Sequence, residues 1–252
     1  MAKFSLCLEP VFTDMSFYDR IPLAKELGFD AIEFWDPSQY DVKRIAKEAQ
    51  KADIPIAGCT LKQNWTYRLN FPYEVVLQNV KESIEYGKEL GCMTFIGLSG
   101  DVETKADSQK NIIIDNLKRV AELLEKENAT IVLEALNSIV DHKGYYLDSS
   151  YVGFEIIKCV NSPRVKLLYD VYHMQVMEGN LIQNVQNNIE RIGHFHSAGV
   201  PGRHELHLGE IDYRNLIKAI DETGYDGYFG LEYWPSYEDK KSAADVLKYL
   251  RG

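Results

Sequence analysis

The sequence predicts an α/β protein with the (β/α)8 architecture of a TIM barrel. Eight short β-rich runs recur along the 252 residues, beginning 24–38 residues apart. Each is followed by a stretch with helical period, and several helices end on a repeated glycine device. Strand and helix alternating at this spacing is the pattern of a parallel barrel.

In chain order the runs are 4–9 (FSLCLE), 31–35 (AIEFW), 55–61 (PIAGCTL), 93–99 (MTFIGLS), 130–136 (TIVLEAL), 165–172 (VKLLYDVY), 192–198 (IGHFHSA) and 228–234 (YFGLEYW). Between the fourth and fifth, Ile113, Leu117, Val120 and Leu124 recur at steps that place them on one helical face over 108–127. Asp107 or Ser108 is positioned to cap that helix. Pro72 suits the first turn of the helix through Val76, Val80 and Ile84. Leu27-Gly28, Leu90-Gly91 and Thr223-Gly224 each put a glycine where a helix must end before the next strand. The competing architecture, a doubly wound open sheet, usually carries a glycine-rich phosphate turn after its first strand. Here Glu9-Pro10-Val11-Phe12 follows instead. No linker or low-complexity tract divides the chain, so residues 1–252 are expected to form one barrel domain.

Composition limits the partners. Hydrophobic residues make up 45% and charged residues 26%, as in an ordinary folded protein. A formal net charge of −10 repels phosphate backbones and anionic membranes, and no basic patch offsets it. No nucleic acid or membrane partner is expected, no run is long enough to span a bilayer, and the amino-terminal apolar run is too short for a signal peptide. Cys7, Cys59, Cys92 and Cys159 lie far apart without a C-x-x-C pair, which reads as buried, reduced thiols in a cytoplasmic protein. A small-molecule substrate remains, with a homo-oligomer possible.

In a barrel of this kind the chemistry sits at the carboxyl ends of the strands. The fifth run begins apolar and reaches Glu134, the sixth Asp170, the seventh His196 and the eighth Glu232. A buried carboxylate without a partner is too costly to arise casually. Consecutive parallel strands bring the four groups to one place. Three carboxylates and one imidazole favour one divalent ion, Mn2+ first, with Mg2+ or Co2+ as alternatives, Zn2+ open to the same set and thiolate-loving metals disfavoured. The competing reading has each acid capping a helix or pairing with an arginine. His194, two residues before His196, is read as a hydrogen-bonded core histidine, and Glu9 and Glu33 as structural.

The stretches Tyr169-Asp170-Val171-Tyr172-His173-Met174-Gln175-Val176-Met177-Glu178-Gly179, Pro201-Gly202-Arg203 with Gly209-Glu210-Ile211-Asp212-Tyr213, and Gly230-Leu231-Glu232-Tyr233 stand out beside these four residues. In them the chain resembles the hydroxypyruvate isomerase family of the xylose-isomerase-like barrels. The resemblance implies a metal held by Glu134, Asp170, His196 and Glu232, and proton chemistry by Glu134 and Glu232. It also implies that His173 and Arg203 touch substrate oxygens. The chain departs from the family pattern at Ala135, Gly199 and His207-Leu208.

The expected reaction is proton transfer beside a carbonyl through a metal-stabilised enediolate. Returning the proton to the neighbouring carbon gives aldose–ketose isomerisation of a small keto acid, such as hydroxypyruvate or a 2-oxo-tetronate. Returning it to the opposite face of the same carbon gives a ketose 3-epimerase, the nearest alternative. His173 is expected on the loop after its strand, leaning over the site. Arg203 is expected to bind a substrate carboxylate or hydroxyl, a salt bridge to Glu205 or Glu210 being its other reading. Lys62, Asn64, Trp65 and Arg68 are further pocket candidates. An abasic-site endonuclease is the rival of another class; it would need more histidine ligands than six histidines comfortably supply.

Overall fold

A computed structural model describes residues 2–252. The elements run β1 (Lys3–Cys7), α1 (Phe17–Glu26), β2 (Ala31–Phe34), α2 (Val42–Ala52), β3 (Ile56–Thr60), α3 (Tyr73–Leu90), β4 (Thr94–Leu98), α4 (Asp107–Lys126) and β5 (Thr130–Glu134). They continue with α5 (Ser150–Val160), β6 (Val165–Asp170), α6 (Val171–Met177), α7 (Leu181–Asn188), β7 (Ile192–Ser197), α8 (Tyr213–Asp221), β8 (Tyr228–Leu231) and α9 (Asp239–Arg251). The strands pair in chain order into a closed barrel, and β8 returns to β1 in parallel with Phe229 beside Phe4.

Alternation along each strand sorts the side chains. Phe4, Leu6, Ile131, Leu133, Leu167, Tyr169, Phe195 and Phe229 join the main core, where the strands meet the helices. Ile96, Val132 and Leu168, on the opposite faces of β4, β5 and β6, form a separate small cluster in the barrel lumen. Above it the same inward faces end in Glu134, Asp170 and, on β7, His196. The pleat that buries the strand therefore also aims its last residue into the barrel mouth.

Gly28, Gly91 and Gly224 take left-handed backbone at φ 96°, 68° and 79°, as the sequence predicts. Asp53 and Asn161 close α2 and α5 in the same conformation, at φ 53° each, without glycine. Helix α4 buries Ile113, Leu117, Val120 and Leu124 as expected, but it begins at Asp107 behind Ala106 and has no side-chain cap. Cys7, Cys59 and Cys92 are buried free thiols; Cys159 departs from expectation, being a free thiol on the exposed side of α5. Among the described residues no helix is long and apolar enough to cross a membrane.

Candidate functional site

Four strand ends converge. Ligand atoms of Glu134, Asp170, His196 and Glu232 all lie within 4.8 Å of one another, and all four residues are buried. Glu134 and Asp170 are the last residues of β5 and β6. His196 pairs in register with Asp170 on one side and Gly230 on the other. Glu232 follows β8 directly, its amide donating to Ser197 O at 3.0 Å.

The cluster holds more negative charge than the protein balances. His196 Nδ1 faces Glu134 Oε1 at 3.4 Å and Glu232 Oε2 at 3.6 Å. Neither His196 nitrogen makes a hydrogen bond. Burial lifts the Asp170 carboxyl to about 7, against the pull of Arg203 and His196. Burial also opposes a charged His196, yet Glu33 and Glu232 carry its pKa well above the ordinary imidazole range. Buried imidazole nitrogens without partners, facing three carboxylates, are the donor set of a divalent-ion site, and the four residues fit one.

Beneath His196 lies a second layer. Glu33, on β2, meets His194 Nε2 at 2.6 Å and approaches His196 Nε2 at 3.6 Å. Burial works to raise the Glu33 carboxyl, but His194 and His196 override it and hold it at about 2. His194 is thus the hydrogen-bonded core histidine expected. Glu33 does more than fill space: it occupies the Nε2 side of His196 and leaves Nδ1 facing Glu134 and Glu232. A carboxylate behind a ligating imidazole fixes ring orientation in metal sites generally. Glu9 accepts from Trp35 N at 2.9 Å and from Tyr40 Oη at 3.2 Å.

The cluster opens into a cavity of about 90 Å³, walled by residues that include Trp35, Asn64, Trp65, Glu134, His142, His196, Arg203, Glu232 and Trp234. Glu232 is tied on both oxygens, by Trp35 Nε1 at 2.6 Å and by Arg203 Nη2. Burial raises the Glu232 carboxyl less than Arg203 and His196 lower it, so it stays ionised more readily than a free carboxylate. The Arg203 guanidinium lies against Trp234 and Tyr172, 4.8 and 5.4 Å from their ring centres. Neither alternative partner holds it: Glu205 accepts from Ser236 and Ser242, and Glu210 from Gln175. Trp65, half exposed, stacks on His142 at 5.8 Å and forms the rim.

Two expected substrate residues stand elsewhere. His173 is not on a loop: Asp170 Oδ1 accepts from the His173 amide at 3.0 Å and starts α6 directly. The His173 ring is fully buried behind His142, with Nδ1 2.7 Å from Asn137 Nδ2 and Nε2 3.6 Å from Asp170 Oδ2. It buttresses Asp170 and forms no part of the cavity wall. Lys62 points outward to Glu82, 2.5 Å away on α3, and is likewise off the wall. Lys62→Ala is therefore expected to change KM less than about twofold and stability by less than about 1 kcal/mol, as for other exposed ion pairs. Steady-state kinetics and a thermal melt check this.

Trp35, His142 and Trp234 were not singled out by sequence reasoning. Trp35 directly follows the end of β2 and Trp234 lies three residues past the end of β8, close to the position that exposed the acids, and that rule could have found them. His142 lies on the irregular β5–α5 connection, where no period marks it. Of the departures from the family pattern, Leu208 is exposed, away from the cavity. Gly199 is required by backbone: a Cβ there would sit 2.5 Å from Glu205 O.

A closed parallel barrel with an acidic, histidine-containing cluster at the carboxyl ends of its strands defines the class of sugar-isomerase-type barrels. The chain belongs to the xylose isomerase-like TIM barrel family, whose sequence pattern matches residues 21–252. It is 29% identical over 244 residues to the 2-oxo-tetronate isomerase of Pectobacterium atrosepticum, covering 93% of each chain. It is also 29% identical over 244 residues to the hydroxypyruvate isomerase of Escherichia coli, covering 93% of this chain and 94% of that one. A solved structure from Brucella melitensis, named AP endonuclease, family 2, superposes with a TM-score of 0.93 at 27% identity over 99% of both chains.

Proposed function

We propose that the chain is a divalent-metal-dependent isomerase of a small α-hydroxycarbonyl acid, hydroxypyruvate or a 2-oxo-tetronate. The observation that carries this is the set of four ligands at four consecutive strand ends, opening into a small cavity. Relatives matched over 93% of this chain that carry those two names support the substrate class.

Glu134, Asp170, His196 and Glu232 would hold the ion, Mn2+ before Mg2+ or Co2+ for an oxygen-rich set. A bound divalent ion supplies Lewis-acid polarisation of adjacent carbonyl and hydroxyl oxygens. Of the three carboxylates only Glu134 and Glu232 line the cavity, so proton transfer falls to them. They differ in readiness. Glu232 has both oxygens occupied by Trp35 and Arg203, which weakens it as a base. Glu134 has His196 at 3.4 Å as its near partner. Glu134 therefore takes the proton from the hydroxyl-bearing carbon, and Arg203 holds Glu232 and the substrate oxygens beside it. Trp35, Trp65 and Trp234 keep water from the reacting carbon.

The test is a product-resolved assay of the metal-loaded protein on hydroxypyruvate, a 2-oxo-tetronate, a ketopentose and a ketohexose. Conversion of the acids to their isomers is expected. A C3 epimer formed from the free ketoses alone would replace the reading by the 3-epimerase, and cleavage of abasic duplex DNA by the endonuclease.

A further inference from the structure

We propose that Asn64 is the residue that selects a carboxylate-bearing substrate, donating its amide to the carboxylate from the cavity wall. This rests on the isomerase reading and specifies how the site tells an acid from a neutral sugar.

Asn64 lies on the connection between β3 and α3, is 1% exposed, and forms part of the cavity wall. Its amide orientation is not ambiguous. Leu98 N, a donor, is 3.2 Å from Oδ1, so that atom must be the acceptor. Nδ2 is then the free end, and it is buried without a hydrogen-bond partner. A buried donor left unpaired is destabilising and calls for an explanation. A ligand oxygen in the adjoining cavity supplies one.

The surroundings narrow the ligand's chemistry. Ile96, Leu98 and Leu136 on the same wall carry no polar side-chain atoms, and Thr60 donates its hydroxyl proton to Leu61 O at 3.0 Å. A carboxylate needs only donors. A hydroxymethyl oxygen in its place would accept the same N–H as a neutral group, and a hydrogen bond to an ionised carboxylate is roughly twice as strong. Arg68, on the same connection, sets its guanidinium 5.1 Å from the centre of the Trp65 ring, and its Nη1 is also buried without a partner. Its ion-pair partner is Asp101, at 3.5 Å. On a wall that also carries Glu134, His196 and Glu232, Asn64 Nδ2 is thus a donor left free for an anionic ligand oxygen.

Asn64→Asp tests this, because aspartate keeps the acceptor for Leu98 N and nearly the same volume while replacing the donor by an anionic oxygen. Calorimetry on the Mn2+-loaded protein compares hydroxypyruvate with dihydroxyacetone, which has a hydroxymethyl group in place of the carboxylate. The expected result is hydroxypyruvate binding weakened at least about tenfold, the scale of one charge-assisted hydrogen bond. Dihydroxyacetone should change less than about threefold. Asn64→Ala, which removes the donor without adding charge, is read in the same way should the aspartate variant melt early. Equal weakening of both ligands, or unchanged hydroxypyruvate binding, overturns the assignment. Selective weakening without any turnover by the wild type would overturn the isomerase reading and leave Asn64 standing. Wild-type protein that binds neither ligand overturns both.

Discussion

Glu134→Gln is expected to lower kcat by about 10²–10⁴, the usual worth of a positioned general base, while KM changes little. Glutamine keeps the volume and one oxygen able to face the ion but cannot accept a carbon-bound proton. The prediction is specific to Glu134 because Glu232, the other carboxylate on the wall, already accepts from Trp35 Nε1 at 2.6 Å and from Arg203. Two measurements separate loss of the base from loss of the metal. Manganese binding to Glu134→Gln should weaken far less than turnover. Exchange of the substrate's carbon-bound proton with deuterated water should disappear together with isomerisation. Chelation of the wild type should abolish both and added Mn2+ restore them. A variant and a chelated wild type that both turn over within about tenfold of the loaded enzyme would refute proton abstraction by a metal-ligating glutamate.

The fold was legible because burial on both faces makes a strand an apolar run, and each run had its turn and helix beside it. The four cluster residues were legible for a related reason. A polar group at the end of such a run breaks the pattern, and barrel closure brings those ends together. What stayed hidden depends on phase and on distant partners. Lys62 and Asn64 are two residues apart on an irregular connection, and only the second reaches the cavity; no period exists there to assign a side. The sequence places His173 on a loop because the sixth β-rich run extends to Tyr172. Yet Asp170 caps the His173 amide, and the chain turns to helix at Val171. Glu33 carries no signal in the sequence because its partner His194 is 161 residues away, brought near only by the barrel.

Gly230→Ala is expected to destabilise the fold by about 3 kcal/mol, at the upper end for overpacking, and to weaken Mn2+ binding by about 10–100-fold, the range for a disturbed orienting layer. Gly230 lies on β8 between His196 on β7 and Ser5 on β1, so an added Cβ would point into the lumen. There it would overlap Glu33 Oε1 and come within 2.8 Å of His196 Cδ2 and Phe195 O. None of the three yields readily. Glu33 is held by His194 at 2.6 Å, His196 is buried among its carboxylates, and Phe195 O is strand backbone. The missing methyl is the space through which a carboxylate on β2 reaches an imidazole on β7 across the barrel. Gly58→Ala is the control: its Cβ would meet Thr94 O at an ordinary 3.6 Å, and it should melt within about 1 kcal/mol of wild type. If Gly230→Ala instead melts and binds Mn2+ like wild type, then Glu33 does not orient His196, and the metal ligands are held by their strands alone.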